Sequence, residues 1–541
     1  MIPRVTDCEV LPVGSLPAVA RPLPARGYKQ TNRLKLRARM APWARWAIPL
    51  CCVAGCHGAV LAAQHEPPAV AADRCPVRAI SLEVGVSWQP KVRAAPAGAV
   101  FCVRSGTHRA QTVFPKDNQQ FLGEPGAIMS GATLIAGATR LGRYWVAAGP
   151  MQHSEIRGVC VHDRPACSDP TTVFIDGRPL DPVPRLDHVH SGTFFRDKAT
   201  GSFYFVDDPT GKTIEATAAA FAFMPNHARN VVIKGLTVEK YGNPAQLGAI
   251  YADADETASG WLIENNDVRL NSGAGIVAGR GAVVRGNKVH DNGQLGIHPH
   301  GDSVLIDHNE IAFNNARGFD PGWDAGGLKA AAVKDLVVRD NWVHHNHGPG
   351  LWCDIECRHV TYEGNTVEYN ADSGILYEIS YDAVIRNNLV RWNGQGGDGS
   401  NGHAWFWGAE IQIAASEHVE VDHNTVFVGP GGGGIVLVDQ GRRKDDKKTY
   451  YKTAQNAVND NEIWFDGPGV KDGGVSDVAN TDPNYAVIET GGNRFDGNHY
   501  HVSGPACACV FAWGHATYDF ATFQGLGQEK NGRLLAASAL P

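Results

Sequence analysis

Four side chains capable of acid–base chemistry recur in the middle of this 541-residue chain: His298, Lys329, Asp354 and Glu378, with Glu410 and Gln412 following. Successive members from His298 to Glu410 lie 24 to 32 residues apart. Two carboxylates about 5–5.5 Å apart suit double-displacement glycoside hydrolysis, one as nucleophile and the other as acid/base. A lysine or histidine suits proton abstraction instead. Asp354, Glu378 and Glu410 would also make an oxygen ligand set for Ca²⁺. A plain ion pair between Lys329 and Asp354 is the structural alternative. Trp352, Trp323, Trp405 and Trp407 are candidate sugar platforms, with His300 and Gln412 as polar contacts. Ordinary packing is the alternative for each aromatic taken alone. None of this chemistry exists unless the fold brings residues two dozen apart into contact.

A repeat supplies that contact. A β-branched run, one or two polar residues, then Asn, any residue, and Val or Ile appears as WLIENNDV (261–268), VVRGNKV (283–289) and VLIDHNEI (304–311). It continues as LVVRDNWV (336–343), VTYEGNTV (360–367), VIRNNLV (384–390), VEVDHNTV (419–426) and AVNDNEI (457–463). The asparagines are Asn266, Asn287, Asn309, Asn341, Asn365, Asn388, Asn424 and Asn461. Most spacings are 21–24 residues, too short and too β-rich for a helical repeat. They fit one coil of a parallel β-helix, whose strands pair in register about 4.8 Å apart. The Asn then returns to one corner of every coil and bonds to the turn and its neighbours, a structural role.

The pattern resembles the right-handed parallel β-helix, or pectin-lyase-like, superfamily of carbohydrate-active type over roughly residues 231–465. The segments 101–115 and 123–137 resemble its opening coil. Segments 174–183 and 201–209 resemble the early part of some β-helix polysaccharide enzymes, and 518–532 a closing segment. The implied fold is all-β: a right-handed single-stranded parallel β-helix (solenoid) with N- and C-terminal caps, which protect the edge strands. In lyases of this superfamily a basic residue removes the proton beside a uronate carboxylate, often with Ca²⁺. Lys329 and His298 match by residue type only, since no lyase signature is present.

Each coil carries a second short strand, aligned on Ile250, Ile276, Ile297, Leu328, Leu351, Ile375, Ile411 and Ile435. Side-chain alternation predicts that positions −1, +1 and +3 face outward together. The −1 column is Gly-rich and ends at Glu410; it reads either as a trough for a ligand or as tight packing. The +1 column holds His298, Lys329, Trp352 and Gln412, and the +3 column holds His300, Asp354 and Glu378. Asp354 and Glu378 thus fall on adjacent coils, close enough for one to stay protonated while the other ionises. Tyr377 points inward. Insertions at 318–327, 396–408 and 439–452 emerge as loops; the first two lead into the strands of Lys329 and Glu410, and the third reads as a solvated rim.

The formal net charge of −7 gives no reason to expect nucleic acid as a partner. No apolar run reaches the roughly 18 residues of a transmembrane segment. From Met40, a candidate start, the sequence reads as a secretory signal, cleaved near Ala62 or Ala63. Val53-Ala54-Gly55-Cys56 resembles a bacterial lipobox, in which Cys56 would carry a lipid anchor. Residues 1–63 are therefore a leader, 64–230 an N-terminal cap with irregular coils, 231–470 the regular helix with its groove, and 471–541 the C-terminal coils and cap. Export places the chain in the periplasm, on the outer surface or outside the cell. Eight cysteines beyond the leader allow 105 pairings. Cys160–Cys167 and Cys353–Cys357 are the expected local bridges, with zinc binding the alternative. The expected function is cleavage of a polysaccharide along the groove by hydrolysis. The alternatives are a uronate lyase or epimerase using Ca²⁺, a non-catalytic glycan-binding surface protein, and a structural solenoid.

Overall fold

The computed structural model describes residues 75–150, 154–252, 257–394, 406–466, 470–503 and 509–537. The leader with Met40 and Cys56, Trp405 and Cys507 lie outside the described residues.

Short β-branched strands stack into three long sheets. The first has thirteen strands from Ile80–Leu82 to Arg494–Asp496, and the second thirteen from Gly106–Arg109 to Arg533–Ala537. The third has eleven, from Gly248–Tyr251 to Ala516–Tyr518. One coil visits the three in turn, as in Val283–Arg285, Lys288–His290 and Leu295–Pro299. In the regular coils the middle residue of each three-residue strand of the first two sheets is buried, so Ile263, Val284, Ile306 and Val338 form one interior file. Each such burial contributes about 1.5–3 kcal/mol, and files of this kind fuse into one core from Leu82 to Phe523.

The repeated asparagines close the corner between the first two sheets. Asn287 donates Nδ2–H to Asn309 Oδ1 at 2.9 Å and to the Ile263 carbonyl at 2.9 Å, while its Oδ1 accepts from Asn266. The chain of bonds runs on to Asn461 and Asn498. A second ladder, five residues further along each coil, closes the next corner through Asn271, Asn292, Asn314, Asn346, Asn370 and Asn393. Each ladder ends on a glutamate. Asn498 donates to Glu529, and Asn393 donates to Glu410.

Before the regular coils, residues 132–217 leave the solenoid and build a four-stranded and a five-stranded sheet, largely antiparallel. These share their own core around Phe194, Phe203 and Phe205. At the far end, Ala516–Tyr518 turns back antiparallel on Cys509–Gly514, and the helix Phe520–Gly525 packs Phe523 onto Phe495, Phe511 and Trp513. Among the described residues, disulfides join Cys75–Cys102, Cys160–Cys167 and Cys353–Cys357, the last two being the expected local pairs. No helix among the described residues is long and apolar enough to cross a membrane.

Candidate active-site groove

The third sheet carries the expected register. Ile297, Leu328, Leu351, Ile375 and Ile411 are partners on consecutive rungs, and Lys329, Trp352, Leu376 and Gln412 align beside them. The pairing Leu351↔Ile375 puts Asp354 next to Glu378 in the same column, on rungs about 4.8 Å apart. Asp354, Glu378, Lys329, Trp352 and His298 are all buried. They therefore form one buried cluster on the third sheet.

Lys329 is the hub. Its ammonium lies 3.0 Å from Asp354 Oδ2 and 3.5 Å from Asp324 Oδ1, and donates to the Trp323 carbonyl at 3.2 Å. It also sits 3.5 Å from the centroid of the Trp352 ring, a cation–π contact. Asp324 was not among the residues read from sequence. It ends the short helix Pro321–Asp324, which Asp320 caps by accepting from the Gly322 N–H at 2.9 Å. The GFDPGWDAGG insertion was the available signal, but its tryptophan drew the reading and the following acid did not. Gln246 and Gln294 hydrogen-bond Asp324 from neighbouring rungs and hold it in place.

His298 Nδ1 faces the Lys329 carbonyl at 2.7 Å. That acceptor assigns the proton to Nδ1 and leaves Nε2 with its lone pair in the neutral ring. Burial pushes the imidazole below its ordinary range; Asp324 and the bond to Lys329 pull the other way, and His300 and the Lys329 charge add to the lowering. Glu378 moves in the opposite sense. Burial, then the neighbouring Asp354 charge, push its carboxyl up to about 7 against Arg442, Lys329 and the nearby Trp352 indole. Arg442 reaches Glu378 Oε1 at 3.3 Å.

Among the described residues, two buried polar atoms of this cluster have no hydrogen-bond partner, Asp354 Oδ1 and Gln412 Nε2, while the Trp352 indole N–H is directed at Glu378. A buried polar group without a partner costs about 1–3 kcal/mol, so one acceptor and one donor are left unsatisfied in this cluster.

Several expectations are corrected. Glu410 does not face the groove. The −1 column points inward, where a Cβ on Gly350 would lie 2.8 Å from Asn370 Nδ2 and 2.7 Å from the Gly374 carbonyl. The glycines serve tight packing over the second ladder, and Glu410 stands where its next asparagine would be. Both Glu410 oxygens accept from Asn393, and burial pushes its carboxyl up to about 8. The set Asp354, Glu378 and Glu410 therefore does not converge on Ca²⁺, and the first two already face Lys329 and Arg442. Gln412 lies in its predicted column but is buried, its Oε1 accepting from Ser373 Oγ and the Gly408 N–H, both at 3.0 Å. Trp407 and Phe406 pack on Trp352, Leu376 and Val436, closing the aliphatic end of the groove. Trp323 stacks on Phe319 over the Cys160–Cys167 segment and is no open platform; its backbone is what contacts Lys329. His300 is exposed, its ring 5.6 Å from that of His298. Trp405 lies outside the described residues. The 439–452 loop, expected as a solvated rim, sends Arg442 to Glu378 and Lys444 to the Tyr381 hydroxyl at 2.7 Å.

Residues 248–444 match the family model described as "Right handed beta helix region". A tail spike protein of Salmonella phage epsilon15 is 25% identical over 190 residues, a stretch that covers 29% of this chain and 18% of that protein. The chain thus spans under a fifth of that relative's length. Among solved structures, the complex of XylC with xylose superposes with a TM-score of 0.54 at 14% identity, covering 84% of this chain and 83% of the other. The A-module of the mannuronan C-5 epimerase AlgE4 from Azotobacter vinelandii gives 0.44 at 12% identity, covering 85% and 96%. In-register three-sheet coils, the family match over residues 248–444 and the superposition agree on the fold: the chain is a right-handed parallel β-helix.

Proposed function

We propose that this chain is an exported enzyme that cleaves glycosidic bonds of a polysaccharide by double-displacement hydrolysis, with Glu378 as proton donor and Asp354 as nucleophile. The observation that carries this reading is the unlike pair on adjacent rungs. Glu378, pushed up to about 7, holds a proton to donate at neutral pH. Asp354 has one oxygen on the Lys329 ammonium and the other without a partner. Trp352 lies beside them, its indole N–H directed at Glu378 and its ring against the Lys329 ammonium. Xylose in the XylC complex is a sugar held by a protein of the same fold. The export signal read over 40–63 and three disulfides support an oxidising compartment.

Incubation with a panel of neutral and uronate glycans tests the reaction. New reducing ends without unsaturation, lost in Glu378→Gln and Asp354→Asn, are the expected result. A second reading rests on His298, whose neutral Nε2 is available as a base for β-elimination on a uronate. Unsaturated uronate ends that survive Glu378→Gln and vanish in His298→Ala would replace hydrolysis by elimination. Binding of a glycan with no product would make the chain a non-catalytic glycan-binding protein.

A further inference from the structure

A second cavity lies outside the groove, where the 132–217 excursion meets the solenoid. It encloses about 570 Å³, and its lining includes Arg317, Arg164, His162, His188 and His190. Two acids also line it, and among the described residues neither pairs with the deepest cation within 4 Å, although the charges of Asp169 and Asp181 favour its protonated form from further away. Asp181 is paired with Arg164 at 3.0 Å, and Asp163 is exposed at the rim.

Arg317 is that deepest cation. It is buried, and its guanidinium bonds only neutral oxygens: Nε–H to the Cys167 carbonyl at 2.9 Å, Nη1 to Thr172 Oγ1 at 2.7 Å, and Nη2 to the Asp169 carbonyl. Among the described residues it forms no ion pair within 4 Å. A buried guanidinium ordinarily takes a carboxylate, because an unpaired buried charge is costly. Of its five N–H donors these bonds use three, leaving one on each of Nη1 and Nη2.

We propose that this cavity is a second binding site for an oxyanion group, a carboxylate or a phosphate, held by Arg317 at its base and by the imidazoles of His188 and His190 at its mouth. The site goes beyond the groove chemistry and does not depend on it. Its ligand is the anionic substituent of an acidic glycan, or free phosphate. Because Arg317 directly precedes the 318–327 insertion that delivers Asp324 to Lys329, an occupant would also brace that insertion.

Isothermal titration of the full chain with inorganic phosphate and, separately, with glucuronate tests the site. Saturable binding of one equivalent is expected. It should weaken about tenfold in Arg317→Lys, the loss of one charge-assisted hydrogen bond. Should that variant fail to fold, the double variant His188→Ala/His190→Ala, confined to exposed side chains, should weaken binding several-fold. Response to glucuronate as well as phosphate identifies a glycan carboxylate as a ligand, and response to phosphate alone identifies phosphate. No binding of either, or binding unchanged in the His188/His190 variant, overturns the proposal. So does binding lost in Glu378→Gln but kept in the cavity variants, which would place the anion in the groove. That last arm separates failure here from failure of the hydrolase reading.

Discussion

Asp354 and Glu378 share a column and a chemistry, yet they face different neighbours. Lys329 pairs with Asp354 at 3.0 Å, whereas Glu378 is desolvated and meets Arg442 at the longer 3.3 Å, beside the Trp352 indole. A carboxyl raised to about 7 donates its proton below that pH, so turnover should decline as pH rises through 7. Arg442 opposes the rise. Arg442→Ala should therefore move the alkaline limb of the kcat profile upward, and an unmoved limb would show that another group sets it. The same shift has a stability consequence. A folded-state pKa above the unfolded one gives stability that is complete below about 4.5 and lost as pH passes through 7. Lys329 has the larger structural role: Lys329→Met strips the buried acids of their common cation and should cost about 3–5 kcal/mol in denaturant unfolding at neutral pH. The adjacency of Asp354 and Glu378 was legible in the sequence because strand alternation and a fixed period dictate it. Asp324 and Arg442 were not, because they enter from insertions whose path no period specifies.

Strands and corners make the column, and the corners depend on asparagine. Asn365 donates to the Val338 carbonyl and to Asn388, and accepts from the backbone and side chain of Asn341. Removing it orphans several buried groups at once, so Asn365→Ala should cost on the order of 3 kcal/mol and leave the neighbouring corners frayed in hydrogen exchange. The second ladder was equally visible as an Asn five residues after each repeat Asn, from Asn266–Asn271 to Asn388–Asn393. It went unread because one asparagine per coil already explained the period. The position five after Asn424 is Gly429, and there the ladder stops. Glu410 accordingly ends it, which is why the inward turn of this acid could not be read from alternation alone. A buried carboxyl raised to about 8 loses its stabilising contribution as pH climbs from about 4.5 through 8. Glu410→Gln keeps an acceptor for Asn393 and removes the titration. It should flatten the fall of Tm between pH 6 and 9; an undiminished fall would locate the titrating group elsewhere.

A solenoid of this kind has no distant contacts to tie its ends together, so each coil is stabilised chiefly by its neighbours. Its exposed edges carry unpaired strand groups that would pair with other chains if uncovered. At the C-terminal end the cover is an aromatic cluster: Phe523, fully buried, meets Phe495, Phe511 and Trp513, and Asp519 caps its helix by accepting from the Thr522 N–H at 2.7 Å. Phe523→Ala removes about 3–5 kcal/mol of packing, and in a nearest-neighbour structure that loss stays local. Hydrogen exchange should quicken in the strands His499–Ser503 and Cys509–Gly514 while the rungs from Gly326–Ala331 to Ile411–Ala414 keep their protection. Turnover should persist, because Lys329, Asp354 and Glu378 sit on those central rungs, while self-association rises as the terminal edge opens. Uniform loss of protection along all three sheets would instead mean that the coils unfold as one cooperative unit, and that the groove depends on the cap as directly as it depends on its own rungs.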